Sequence, residues 1–214
     1  MRVVTISAAY GAGGGVVGPA VADRLGLPFV DRAIPEAVAA EIGCSLDAAL
    51  VHDGRSESGL GRVLMATARM PNITLGGLES YVAPADLMPE EEFVRRTEAY
   101  ITSVATGTGG VILGRAGAFV LAEHPGALHV RLDGPPEARI AQVAKLPGRD
   151  EASARRRMQE NDRARAAYVQ HFYHADANDP RHYQLVIDST ALPLDAVTDV
   201  IVCAALAIES PAIS

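Results

Sequence analysis

Three groups of residues in this chain have the type and spacing to hold phosphate. The first is Tyr10-Gly-Ala-Gly-Gly-Gly-Val-Val-Gly18, which follows the apolar stretch Arg2 to Ser7. Glycines let backbone N–H groups approach an anion with no Cβ in the way. Where such a loop opens a helix, the helix N-terminus adds partial positive charge. The residues that would cradle the phosphates are Gly11, Ala12, Gly13, Gly14, Gly15 and Val16. The second group is Asn161-Asp-Arg-Ala-Arg165-Ala-Ala-Tyr168, at the end of a run with six arginines between Arg149 and Arg165. Arg163 and Arg165 stand two apart behind Asp162, which suits clamping of phosphates while a carboxylate orients one guanidinium. Movement of a phosphoryl group needs such neutralisation of developing charge. Arg155, Arg156 and Arg157 read instead as a solvated face laced with Glu151 and Glu160. The third group, Asp31-Arg32 and Gly114-Arg115, stands directly after two other apolar stretches.

The loop can be tested against two patterns. A dinucleotide fingerprint starting at Gly11 needs glycine where Val16 stands, but Gly13-x-Gly15-x-x-Gly18 matches, and Asp31 supplies an acid after the next apolar stretch, somewhat early. The pattern GxxxxGK[ST] is not met, because Gly14 to Val17 contain neither Lys nor Ser/Thr. Four phosphate-directed arginines from separate segments (Arg32, Arg115, Arg163 and Arg165) have little use in a dehydrogenase. They favour phosphoryl transfer between nucleotides over dinucleotide binding, which is the more distant alternative. The bland alternative is a glycine turn that only packs helix against strand.

The elements that must position these groups can be read from periodicity. Arg2 to Ser7, Leu27 to Val30, Gly110 to Gly114, Ala127 to Leu132 and Gln184 to Asp188 are short, apolar and rich in β-branched residues, as buried parallel strands are. Helical spacing is predicted over Val16 to Leu25, Pro35 to Ile42, Pro89 to Thr106, Arg115 to Glu123, Pro135 to Lys145, Asp150 to about Tyr173 (one long helix or a helix pair) and Leu194 to Ile208, with a further helix over Ser58 to Met70 and loop over Pro71 to Pro89. Pro19 would sit in the first turn of its helix, where proline is tolerated. Alternating strands and helices imply an α/β fold: a parallel sheet of about five strands with helices on both faces. Ligands bind such sheets at the carboxyl ends of the strands, where the glycine loop, Asp31-Arg32 and Gly114-Arg115 stand, with Asp133 and Asp188-Ser189.

Length and charge narrow the classes. The chain has 214 residues, 49% of them apolar, and a formal net charge of −7, which suits one domain spanning 1–214 with a real core. The acidic balance argues against a nucleic-acid polymer or an anionic membrane surface as partner. Of the 19 basic residues all but Lys145 are arginine. Cys44 and Cys203 form no CxxC pattern and read as reduced thiols of a cytoplasmic protein. The first apolar stretch is broken by glycine too early for a signal peptide, and no run approaches the roughly 18 apolar residues needed to cross a bilayer. His171, His174, Asp176 and His182 are too loose a set for a metal site, so no metal ligand is expected. Tyr168, Phe172 and Tyr173 read as packing. Neither Ser7 nor Ser189 has the partners of a nucleophile.

Val4-Thr-Ile-Ser7 with Tyr10-Gly-Ala-Gly-Gly14, Leu25-Gly-Leu-Pro-Phe-Val-Asp-Arg32, Val111-Ile-Leu-Gly-Arg115, Asp162-Arg-Ala-Arg-Ala-Ala-Tyr168, and Asp179-Pro with Tyr183-Gln-Leu-Val-Ile-Asp-Ser189 together resemble the cytidylate kinase-like proteins, within the P-loop nucleoside monophosphate kinases. The resemblance implies a monophosphate-binding insertion within 32–89 and a helical lid around 145–175. It implies transfer of the ATP γ-phosphoryl group to CMP, dCMP or a similar nucleoside monophosphate, with Mg²⁺. Under it, Gly11 to Val16 cradle the donor phosphates. Asp31, Arg32, Arg115 and Asp162 face the acceptor, and Arg115, Arg163 and Arg165 act on the transferring group. The loop is a degenerate version of the family's. Classical members carry Lys and Ser/Thr there, and related chains often carry Arg where Gly15 stands. The charged pair often found before the loop is replaced by Ala8 and Ala9, and the carboxylate often found after the Gly-Arg pair by Ala116 and Ala118. A catalytically impaired nucleotide-binding or regulatory protein of the same fold is therefore the alternative.

Overall fold

The computed structural model describes residues 2–31, 90–146 and 150–208. The helices expected at 35–42 and 58–70, the loop at 71–89, the acceptor insertion, Arg32, Cys44 and Arg149 lie outside the described residues. Strand β1 (Val3–Ala8) leads into α1 (Gly14–Leu25) and β2 (Phe29–Val30). After the undescribed segment come α2 (Glu90–Thr106), β3 (Gly110–Leu113), the single turn α3 (Gly117–Val120) and β4 (Ala127–Asp133). Then follow α4 (Pro136–Ala144), the long α5 (Glu151–Tyr173), a 3₁₀ turn Pro180–His182, β5 (Leu185–Asp188) and α6 (Leu194–Ala207).

The five strands pair in parallel in the order β2-β3-β1-β4-β5. Successive residues of β1 serve opposite faces, as a two-residue period requires. Val4 and Ile6 join a core with Val17 and Val21 of α1 and Val197 and Ile201 of α6, while Val3 joins Ile101 and Ala105 of α2 and Ile112 of β3. This is the expected three-layer arrangement. It leaves the carboxyl ends of all five strands on one edge, with the glycine loop at the centre because β1 is the central strand.

Two local departures from the sequence reading have backbone causes. Helix α1 starts two residues before Val16, at Gly14, since Gly13 turns the chain with φ 78°. Pro19 therefore sits past the first turn, and its missing N–H leaves the Gly15 carbonyl without its helical partner. After β3, Gly114, Arg115 and Ala116 all have positive φ, of 73°, 54° and 53°. Three left-handed residues in a row cannot begin a right-handed helix, so the helix expected from Arg115 to Glu123 shrinks to Gly117–Val120.

Candidate active site

The glycine loop is held by its neighbours through its backbone. Gly11 has φ 82°, and a Cβ there would lie 2.6 Å from the carbonyl oxygen of Arg139. A Cβ on Gly14 would lie 2.5 Å from that of Ala8. Gln142 donates to the Gly11 carbonyl at 2.9 Å, and the fully buried Ser189 donates to the Ala12 carbonyl at 2.7 Å. With carbonyls drawn outward into these bonds, the amides of Gly11, Gly13, Gly14 and Gly15 have no hydrogen-bond partner among the described residues. Those of Gly14 and Gly15 open a twelve-residue helix, and free N–H groups at a helix start suit an anion. The sequence reading chose these residues for their glycines and their place. The structure adds that Gly15 and Val16 are exposed at its rim, Val16 at 59%.

Helix α5 runs as one helix from its cap at Asp150, whose carboxylate accepts from the Ser153 amide at 2.9 Å. Asp162 faces the loop: one carboxylate oxygen accepts from the Tyr10 amide at 3.0 Å and the other from Arg139 at 2.6 Å. The same Arg139 guanidinium donates to the Tyr10 carbonyl at 3.0 Å. Helix α5 is thus latched to the first residue of the loop, and Arg155 pairs in two-pronged fashion with Glu137 of α4 at 2.7 Å. Arg165, one turn on, reaches Asp162 at 3.6 Å. Burial, countered in part by Asp162 and reinforced by the charges of Arg131 and Arg139, pushes its pKa down to about 10. A guanidinium held against its preference beside other cations is a strong receptor for an anion. Arg163 does not join it. Two residues along a helix turn the side chain to the far side, and Arg163 lies exposed with Arg156, Gln159 and Glu160 around a shallow depression.

The left-handed turn after β3 places Arg115 at the tip of that strand, beside the end of β2. Burial depresses its pKa, while the Asp31 carboxylate and the Tyr168 phenol oppose that shift. The depression sets its environment; a guanidinium stays charged at neutral pH. Asp162, Arg165 and Tyr168 follow at spacings of three, so one face of α5 spans from the glycine loop to Arg115. At 1.5 Å per residue that run covers about 9 Å, enough to roof a donor phosphate and an acceptor side by side. Beyond Tyr168, rings seat α5 against α3: Phe119 lies 5.7 Å from Tyr173 and 4.8 Å from His182, and Tyr173 donates to Glu98 of α2 at 2.9 Å. Burial first, then Tyr168 and Glu98, raises the Tyr173 pKa. Among the described residues no cluster of three or more His, Cys, Asp or Glu could hold a metal ion. Lys145 stays exposed at the end of α4.

Sequence reasoning missed Arg131, Arg139 and Gln142. Arg131 is buried on β4. It donates to Asp133 at 2.7 Å, to the Ala177 carbonyl at 3.0 Å and to Asn178 at 2.7 Å. A lone arginine within the apolar strand Ala127 to Leu132 was the available signal, since a buried charge implies partners. Arg139 and Gln142, on a helix of ordinary composition, gave none.

Among the described residues the groups around the loop are suited to an anion and offer no ligand to Mg²⁺, which the family resemblance implies. A P-loop offers Mg²⁺ a hydroxyl just past its lysine, and here Gly15 and Val16 have no side-chain oxygen. Nearby carboxylates are engaged. Asp162 binds Tyr10 and Arg139. Asp133 binds Arg131 and the Gly134 amide, and Asp188 accepts from Thr190 and Ala191.

Residues 3–191 match the model of the cytidylate kinase-like family. The fold resembles that of an uncharacterised protein from Eubacterium ventriosum, with TM-score 0.68 and 17% identity over 97% of this chain and 99% of that one. It also resembles shikimate kinase from Bacteroides thetaiotaomicron, with TM-score 0.51 and 13% identity over 94% and 97%. A gluconokinase from Sinorhizobium meliloti gives TM-score 0.51 and 13% identity over 96% and 91%. At these identities the likeness is one of fold. In sequence, 132 residues are 28% identical to uronate isomerase of Corynebacterium glutamicum, covering 61% of this chain and 25% of that protein. The chain thus spans about a quarter of that relative's length.

Proposed function

The chain belongs to the cytidylate kinase-like family, and on that premise we propose that it binds nucleotide phosphates on the glycine loop as a phosphotransferase, moving the γ-phosphoryl group of ATP to CMP, dCMP or a similar nucleoside monophosphate. The observation that carries this reading is that α5 bears Asp162, which accepts from the Tyr10 amide of the glycine loop, Arg165 one turn on, and Tyr168, whose phenol acts on Arg115. In this reading residues 1–214 form one kinase-like domain of the cytoplasm, with 32–89 as acceptor insertion and 145–175 as lid.

Each residue has a task of its own. The amides of Gly11, Gly13, Gly14 and Gly15 orient the donor phosphates. Arg165 lies against the transferring group and offsets the charge that grows there. Arg115, supported by Asp31, holds the acceptor phosphate. Tyr168 and the rings behind it exclude water when α5 is seated. Arg163 would have to turn in from the exposed face to take part, and Arg32 stands in the sequence beside Asp31. Incubating the protein with ATP and each nucleoside monophosphate tests the reading. It expects a diphosphate product with a cytidine acceptor, and no product from any acceptor at high enzyme concentration would sink the transfer step.

A second reading is favoured by Gly15 and Val16: a protein of this fold that binds nucleotide without turnover. The two exposed rim positions supply neither charge nor hydroxyl, and losing one group that stabilises the transition state costs roughly 3–4 kcal/mol. Saturable nucleotide binding without product separates this reading from the first.

A further inference from the structure

The loop is set up for phosphate while its surroundings reject the metal that usually accompanies it. Mg²⁺ is a hard cation that requires near-octahedral oxygen coordination. A protein favours the metal in an Mg²⁺–phosphate complex chiefly by adding an oxygen ligand, directly or through a metal-bound water. Here the rim residues Gly15 and Val16 add none. The carboxylate of Asp162 is closed by the Tyr10 amide and Arg139, and that of Asp133 by Arg131 and the Gly134 amide. The hydroxyl of Ser189 is buried under the loop, donating to the Ala12 carbonyl.

Among the described residues, the groups at the loop with free donors or charge are the loop amides and Arg165, whose charge is crowded by Arg131 and Arg139. Such groups bind the same phosphate oxygens that a metal would occupy. Mg²⁺ on the ligand would take up lone pairs on those oxygens and lower the charge that Arg165 answers, with no oxygen ligand returned by the described residues.

We propose that this chain takes phosphate esters and polyphosphates on its glycine loop in their metal-free form, so that Mg²⁺ competes with the protein for the ligand. This rests on the loop holding phosphates, which both readings above share, and it sets the ligand class as a bare polyanion. Binding selects among forms already in solution, and no bond is made or broken.

The test is titration calorimetry of the full chain with inorganic pyrophosphate and with ATP, once in EDTA and once in excess Mg²⁺. The expected result is affinity at least about tenfold tighter in EDTA for both probes. Affinity equal or higher in Mg²⁺ overturns the proposal and leaves phosphate binding standing. No binding in either condition overturns the proposal and nucleotide binding together. Two variants extend the test. Arg165→Gln should shrink the advantage of the bare ligand, because the cation that rewards it is gone. The double variant Gly15→Lys with Val16→Thr places the missing charge and hydroxyl on two exposed positions and should reverse the Mg²⁺ preference. If the double variant still binds best in EDTA, the rim residues are not the cause and the proposal fails.

Discussion

The loop end and the lid end of the cleft are built in opposite ways. The loop is a rigid frame without side-chain charge: its shape is forced by close packing against Arg139 and Ala8, and its outward carbonyls are tied by Gln142 and Ser189. The lid side is charge on a helix held by few apolar contacts, with Ile140, Val143, Ala154 and Met158 as its small core. Asp162 joins the two. In a loop with its own lysine, geometry and charge would reside in one segment. Here geometry comes from β1 and α1, while side-chain charge comes from Arg131 of β4, Arg139 of α4 and Arg165 of α5, so on the reading proposed above the seating of α5 governs how well the loop holds an anion.

The strongest way to break this division is to cut the joint. Asp162→Ala leaves the Tyr10 amide unpaired and Arg139 without its closest carboxylate, and should cost about 3–4 kcal/mol in denaturant unfolding. It should also abolish pyrophosphate binding. Unchanged binding would mean that loop and lid are independent. Gly11→Ala attacks the frame alone. Its left-handed φ and the approach to the Arg139 carbonyl predict a loss of about 2–3 kcal/mol, together with lost anion affinity.

Arg165→Gln should separate function from stability. Its guanidinium is buried beside Arg131 and Arg139, so its folded pKa lies below the unfolded value and the charged form opposes folding. Removing the charge should raise stability by up to about 1 kcal/mol, after discounting for solvent screening, while anion affinity falls about tenfold. A fall in both would make Arg165 a structural group.

The smallest effect concerns a group beneath the cleft. His129 of β4 meets Thr5 at 2.8 Å, and burial lowers its pKa despite a bond to the Leu121 carbonyl, with His124 acting in the same direction as burial. Below about pH 6.5 the unfolded chain binds a proton that the folded chain refuses, so its stability contribution is complete above that value and is lost as pH falls. The slope should not exceed about 1.4 kcal/mol per pH unit, and His129→Gln should flatten it in urea titrations at successive pH values.

Much of this was readable in order. Short β-branched runs alternating with helical spacing specify a parallel sheet, because burial on both faces leaves few other solutions. Glycines after the first strand mark the cradle, since only a backbone without Cβ can pass so close to Arg139. Strand ends and the Asp-Arg-x-Arg spacing likewise pointed to Arg115 and Arg165, which the structure places beside Asp31 and Asp162. Three features were not readable. Arg163 and Arg165 look alike in one dimension, and a turn of about 200° about the helix axis sends them to different surroundings. Asp162 looked like a group for the acceptor and is found on the Tyr10 amide. Arg139 carries no motif, yet it bridges loop and lid. The sequence by itself determined the order of elements, the backbone of the cradle and the absence of lysine and hydroxyl from its rim, because these are properties of local segments. Which charges reach the cradle was decided only by the tertiary structure, because they come from β4, α4 and α5, and only the packing of those elements on one sheet edge sets which side chain meets which carboxylate.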